Sequence, residues 1–357
     1  MKKITVYLFC ACFFLFLTSC SFGGGKIGTS SGGQNYVFSK SIWISSDGGK
    51  NWKASNISKN KPRVSDIDPL SLAFDGKNPD ISYVGLRSGG IIKTTDGGAS
   101  WEFMNLNTDK VYGLDVDPFD SKIIYATTVI NNRGKIFKSI DSGANWKEIY
   151  TFAANGPLAA YLKIDKQNPK VIYVSTSDNQ LIKSTDSGNT WKNIFQTSSP
   201  VLKISIDAEN DNNVYLITKN GDVFFSSDAG NSFDNLANKN GSNSMLDSGF
   251  SSMETSPMSA GGVYFWGRSG IIHSSDKGKT WKKIVTLNNP QNSPISALAI
   301  DPRNSNEIIY GALQATYKSN DGGNTWATSQ FDLSKTISIL KYNPVNPDIV
   351  FACFSAK

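Results

Sequence analysis

SSDGGKNW, residues 45–52, sets two serines, an aspartate and two glycines just ahead of a tryptophan. Such a stretch suits either a ligand-binding loop or a tight hairpin, and repetition decides between them. The pattern S/T-x-D-x-G-x-x-W/F returns as TTDGGASW at 94, SIDSGANW at 139, STDSGNTW at 184, SSDAGNSF at 226, SSDKGKTW at 274 and SNDGGNTW at 319. Successive starts lie 42 to 49 residues apart, the period of a propeller blade built from four short strands.

The residues between boxes repeat as well. LDVDPFDSKIIYATT stands before the box at 139, LKIDKQNPKVIYVST before 184 and LAIDPRNSNEIIYGA before 319. Each reads as a strand, a turn built on Asp, Pro and Asn, then a β-branched strand carrying Tyr. A third strand such as GIIKTTD enters the box and a fourth such as WEFMNL leaves it, so the box is the hairpin between strands three and four. The first box is preceded only by YVFSKSIWI, while ISILKYNPVNPDIVFACFSA follows the last box with no box of its own. Joining these halves completes a seventh blade. The expectation is an all-β, seven-bladed β-propeller with four-stranded antiparallel blades, its ring closed by strands from both termini, as one domain over 37–357. Closure would leave no open ring edge to aggregate.

The start of the sequence differs in kind. Lys2 and Lys3 lead an apolar run, VYLFCACFFLFL at 6–17, which reads as an export signal over 1–20 and is too short for a membrane span. Residues 21–36, Gly/Ser-rich, read as a flexible tether with a reach of about 20 Å. Without the two signal lysines, 34 basic residues face 30 acidic ones, a mildly basic balance that argues against nucleic acid as a partner. Cys10, Cys12 and Cys20 precede the folded part and only Cys353 lies within it, which excludes an intramolecular disulfide and a cysteine metal site.

The box chemistry is that of a clasp. Asp47, Asp96, Asp141, Asp186, Asp228, Asp276 and Asp321 can accept backbone N–H bonds inside the hairpin, and the glycine two residues on supplies positive φ. Trp52, Trp101, Trp146, Trp191, Phe233, Trp281 and Trp326 would cover each hairpin against its own blade. A second acidic set, Asp75, Asp117, Asp165, Asp207 and Asp301 with Asn343, reads as turn formers after the first strand. A single carboxylate makes a poor cation site, so no metal and no cofactor is expected.

These boxes resemble the Asp-box, or bacterial neuraminidase repeat, of sialidases, xyloglucan-degrading glycosidases, sortilin-type receptors and photosystem II assembly factors. The resemblance covers 37–357 and implies the propeller; the families it draws on include both enzymes and non-enzymes. Leu17-Thr18-Ser19-Cys20 resembles the lipobox of bacterial lipoproteins, which implies lipidation at Cys20, attachment to a membrane through that lipid alone, and, with Ser21 following, an outer membrane where the cell has one.

Little is left for catalysis. A sialidase would carry an Arg-Ile-Pro signature and an arginine triad; here the nearest string is KPRVSD at 61–66, and only five arginines exist. Asp66, Asp68, Asp115 and Glu254 lie outside the turn sets, but nothing in sequence pairs two of them across a cleft as glycoside hydrolysis requires. The lone histidine, His273, stands just before a box and reads as blade packing. What survives is a basic face. The turns between strands two and three, opposite the boxes, carry Arg87, Arg133, Lys219 and Arg268; inter-blade loops on that side add Arg63 with Lys59, Lys61, Lys110 and Lys239, and Tyr112 and Trp266 are aromatics outside the boxes. The expected function is a monomeric, non-catalytic binding or assembly-scaffold protein of the cell envelope, with a protein or anionic glycan partner on that face. The alternative is a glycoside hydrolase or glycan-binding propeller.

Overall fold

The computed structural model describes residues 36–60, 66–236, 245–246 and 249–356; the expected signal, lipidation site and tether lie outside them. Among these residues are seven four-stranded antiparallel sheets and one two-stranded ribbon, with no helix long and apolar enough to cross a membrane. Counting from the first complete blade, the innermost strands are Pro69–Phe74, Lys110–Val116, Ala159–Ile164, Val201–Ile206, Phe250–Thr255, Ile295–Asp301 and Thr336–Tyr342. Each forms one edge of its sheet, and the seven edges face one another around the axis of the propeller.

Blade seven closes the ring as the sequence predicts. Its two inner strands come from the C-terminal end and its two outer strands, Ile42–Ser45 and Lys53–Ala54, from the N-terminal end. The join is a full antiparallel register, from Ile42 opposite Cys353 to Ser45 opposite Val350. Cys353 is fully buried beside it, and burial pushes its thiol up to about 12, which keeps it unreactive while the seam is shut. Only part of YVFSKSIWI enters the blade: Tyr36–Val37 pairs instead with Ile57–Ser58 as a separate ribbon.

Second strands such as Ile124–Ile130 and Ile172–Thr176 are β-branched and almost wholly buried, as strands covered on both faces require. The apolar residues form seven clusters, each shared by two adjacent blades. One box aromatic joins each cluster: Trp101 between blades seven and one, Trp146 between one and two, and so on round the ring. The aromatics therefore seal the seams between blades and do not merely cap their own hairpins. The reason is geometric, since the box glycine faces the preceding blade. A Cβ on Gly98 would lie 2.0 Å from Ile44 Cδ1, and one on Gly188 2.6 Å from Ile149 Cδ1.

Candidate functional site

The outer rim is uniform. In the third blade's box, the Ser184 hydroxyl donates to Asp186 Oδ1 at 2.8 Å and accepts the Gly188 N–H at 2.9 Å. Asp186 also accepts the Thr190 N–H at 2.8 Å and the Thr190 hydroxyl at 2.6 Å. The same Ser/Thr, Asp and Gly arrangement holds in the other six boxes. The Thr190 hydroxyl and N–H hold Asp186 at about 2, and Ser232 and Ser226 do likewise for Asp228; carboxylates so satisfied are clasps. The fourth box residue reaches the neighbouring blade: Tyr125 Oη–H donates to the Ser187 carbonyl at 3.0 Å and Tyr173 Oη–H to that of Ala229 at 2.8 Å. The second acidic set holds turns, with Asp117 Oδ1 accepting the Phe119 N–H at 2.8 Å. In blade five Ser256 takes that place.

The face opposite the boxes carries its cations on separate blades. Arg133, Lys219 and Arg268 are exposed. Arg87 is already engaged, its Nε donating to Asp68 Oδ2 at 2.7 Å. Tyr112 is half-buried, and Trp266, expected on that surface, is only 3% exposed in the seam between blades five and six. Strand two ends there, but its last large side chain turns inward to fill the seam. Arg63 lies outside the described residues. His273 stacks on Tyr264 at 4.2 Å between ring centroids and is half-buried; burial lowers its pKa.

The charge of the molecule concentrates elsewhere. Ala73, Asp115, Lys163, Ser205, Glu254, Ala299 and Lys341 share one register on the seven innermost strands, each opposite the same position of strand two. They form a layer around the channel, and Lys203 stands in the adjacent layer, two residues earlier on its strand. Innermost strands run toward the turns that the boxes bond to, as in Gly97 N–H to Asp80 O. This layer therefore lies near the box-side mouth.

Asp115 and Glu254, unpaired in sequence, are brought here against lysines. Lys163 Nζ is 3.8 Å from Asp115 Oδ2, and Lys203 Nζ is 3.2 Å from Glu254 Oε2. Lys203 also covers the Trp266 ring at 5.2 Å. Asp115 Oδ2 further accepts the Ile164 N–H at 3.1 Å, tying blade three to blade two. Lys341 Nζ donates to the Leu72 carbonyl at 3.1 Å, tying blade seven to blade one. Burial opposes ionisation of Glu254, but the Lys203 and Lys163 charges pull it down to about 2; Asp115 raises Lys163. Burial and the Lys163 charge push Lys341 down to about 8. Glu254 is thus held ionised near neutral pH and does not supply the protonated carboxyl that glycoside hydrolysis asks of one acid. Asp66, the remaining free acid, pairs with Lys335, and Asp68 with Arg87. Among the described residues no group of three or more His, Cys, Asp or Glu side chains is placed to hold a metal ion.

Sequence reasoning missed Lys163, Lys203 and Lys341. For Lys163 and Lys341 the signal was present: in LDVD, LKID and LKYN the residue two before the turn former varies from blade to blade between apolar or aromatic neighbours, whereas Lys203, four before Asp207, falls outside that pattern.

Several known proteins share this architecture. The sequence profile of the photosynthesis system II assembly factor YCF48 family matches residues 194–343, less than half of the protein. No curated protein sequence matches. Among solved structures, the GH74 xyloglucanase of Xanthomonas campestris superposes with a TM-score of 0.66 at 16% identity, covering 81% of this protein and 51% of that one. The protein thus spans about half the length of that enzyme. A YCF48 bound to D1 peptide gives 0.61 at 14% identity, covering 81% and 94%; YCF48 from Cyanidioschyzon merolae gives 0.59 at 14%, covering 80% and 95%. At these identities the likeness is one of fold. The protein is a seven-bladed Asp-box propeller, similar in architecture both to YCF48 and to GH74 glycoside hydrolases.

Proposed function

We propose that the protein is a non-catalytic propeller that binds an acidic segment of a protein partner, held at the cell envelope by lipid on Cys20. The observation that carries this reading is the channel, where three lysines, Lys163 and Lys341 in the layer and Lys203 beside it, face two carboxylates, each held in an ion pair. An electropositive, partly desolvated recess favours an anionic ligand, and its lysines hold Glu254 ionised. The peptide bound by a YCF48 of similar fold, 94% of which is covered by this protein, is consistent with it. The test is affinity capture of the anchored protein from its own envelope with identification of what is retained: a reproducible protein partner, released by salt, is expected. A purely polysaccharide ligand would overturn the reading.

Two carboxylates in one channel, together with the xyloglucanase likeness, define the second reading, a glycosidase. Turnover of a polysaccharide or sialoside panel, abolished by Glu254→Gln or Asp115→Asn, is the outcome that would establish it.

A further inference from the structure

The protein-binding reading leaves open where the partner engages, and the channel narrows this. Lys163, Lys203 and Lys341 line its box-side half, and Lys166, exposed in the turn after Ile164, stands at the mouth. Asp115 and Glu254 answer Lys163 and Lys203. Among the described residues no carboxylate lies within ion-pair distance of Lys341 or Lys166. Lys341 is half-buried and has only the neutral Leu72 carbonyl as a partner. A partly buried ammonium without a counter-charge is costly, and an entering anion relieves that cost.

We infer that the channel takes one carboxylate of the partner, from an acidic residue or from its C-terminus, which enters through the box-side mouth past Lys166 and docks on Lys341 with Lys163 and Lys203 beside it. This rests on the protein-binding reading but moves the contact to the face opposite the one that the arginines suggest. A carboxylate fits better than a phosphate. Its single charge answers Lys341, whereas a dianion would face the ionised Glu254 across the same layer.

The experiment is calorimetric titration of the full-length protein with hexaglutamate at pH 7 and low salt, with C-terminally amidated hexaglutamine, which carries no carboxylate, as control. Binding of hexaglutamate alone is expected. Lys341→Met and Lys203→Met should each weaken it about tenfold or more, since truncating one partner of a desolvated charge pair acts on this scale. Lys341→Arg should keep it, and an Arg133→Ala/Arg268→Ala double variant should stay within about twofold. Affinity should fall as pH rises through 8. Binding that survives Lys341→Met in a folded protein, or that is lost in the arginine double variant, overturns the inference. So does an absence of hexaglutamate binding, and in that case envelope capture of a protein partner still upholds the proposed function.

Discussion

The rim and the channel are built by the same seven blades and follow opposite rules. At the rim every blade repeats one solution, a Ser or Thr, an Asp, a Gly and an aromatic, bonded in the same way each time. In the channel the corresponding position changes from blade to blade: Ala73, Asp115, Lys163, Ser205, Glu254, Ala299, Lys341. Repetition marks what every blade needs in order to stack on its neighbour. Departure from repetition marks what only the whole ring can create, a pattern of charge around an axis.

The largest expected effect is collective and belongs to the rim. Hydrogen bonds depress the box carboxylates to about 2 at Asp186, Asp228 and Asp321. A carboxyl whose folded pKa lies below its unfolded value of about 3.9 stabilises the fold above that value and loses the contribution as pH falls. Unfolding followed by circular dichroism should therefore be steep between about pH 4 and pH 2. A fold that stays unchanged down to pH 2 would mean that the boxes matter little.

A single seam comes next. Trp101 is fully buried among Ile42, Phe351 and their neighbours, and its indole N–H donates to Ser55 Oγ at 2.7 Å. Trp101→Ala should cost about 4 kcal/mol in urea unfolding and, because it lies beside the closure, should open Cys353 to thiol reagents. A smaller loss is expected from Asp96→Ala, which strands the Ser100 N–H, held at 2.9 Å, and both neighbouring hydroxyls. With the box partly solvated, the cost should be about 1.5 kcal/mol.

The contrast also explains what was legible in advance. The blade count, the strand order and the closure by both ends could be read because they rest on a signal repeated seven times. The seam position of the box aromatics could not, because which blade a glycine faces depends on how sheets stack. Trp266 looked like a surface aromatic because it ends a strand, yet its ring turns into a seam under Lys203. Arg87 looked free because its partner, Asp68, stands nineteen residues away in the loop before the blade's first strand. Asp115 and Glu254 were visible as unexplained acids, but their lysines come from other blades. Only the ring brings Asp115 to Lys163 and Glu254 to Lys203.

Thermal unfolding with and without hexaglutamate, on the wild type, Asp96→Ala and the Lys203→Met/Lys341→Met double variant, tests the division of labour between rim and channel in one measurement. A ligand that binds the folded state alone raises Tm by mass action. Asp96→Ala should start from a lower Tm and keep the full hexaglutamate shift, while the channel variant, whatever starting Tm follows from leaving Glu254 without Lys203, should show no shift. A shift that persists in the channel variant, or one that disappears with the rim variant, would contradict the account.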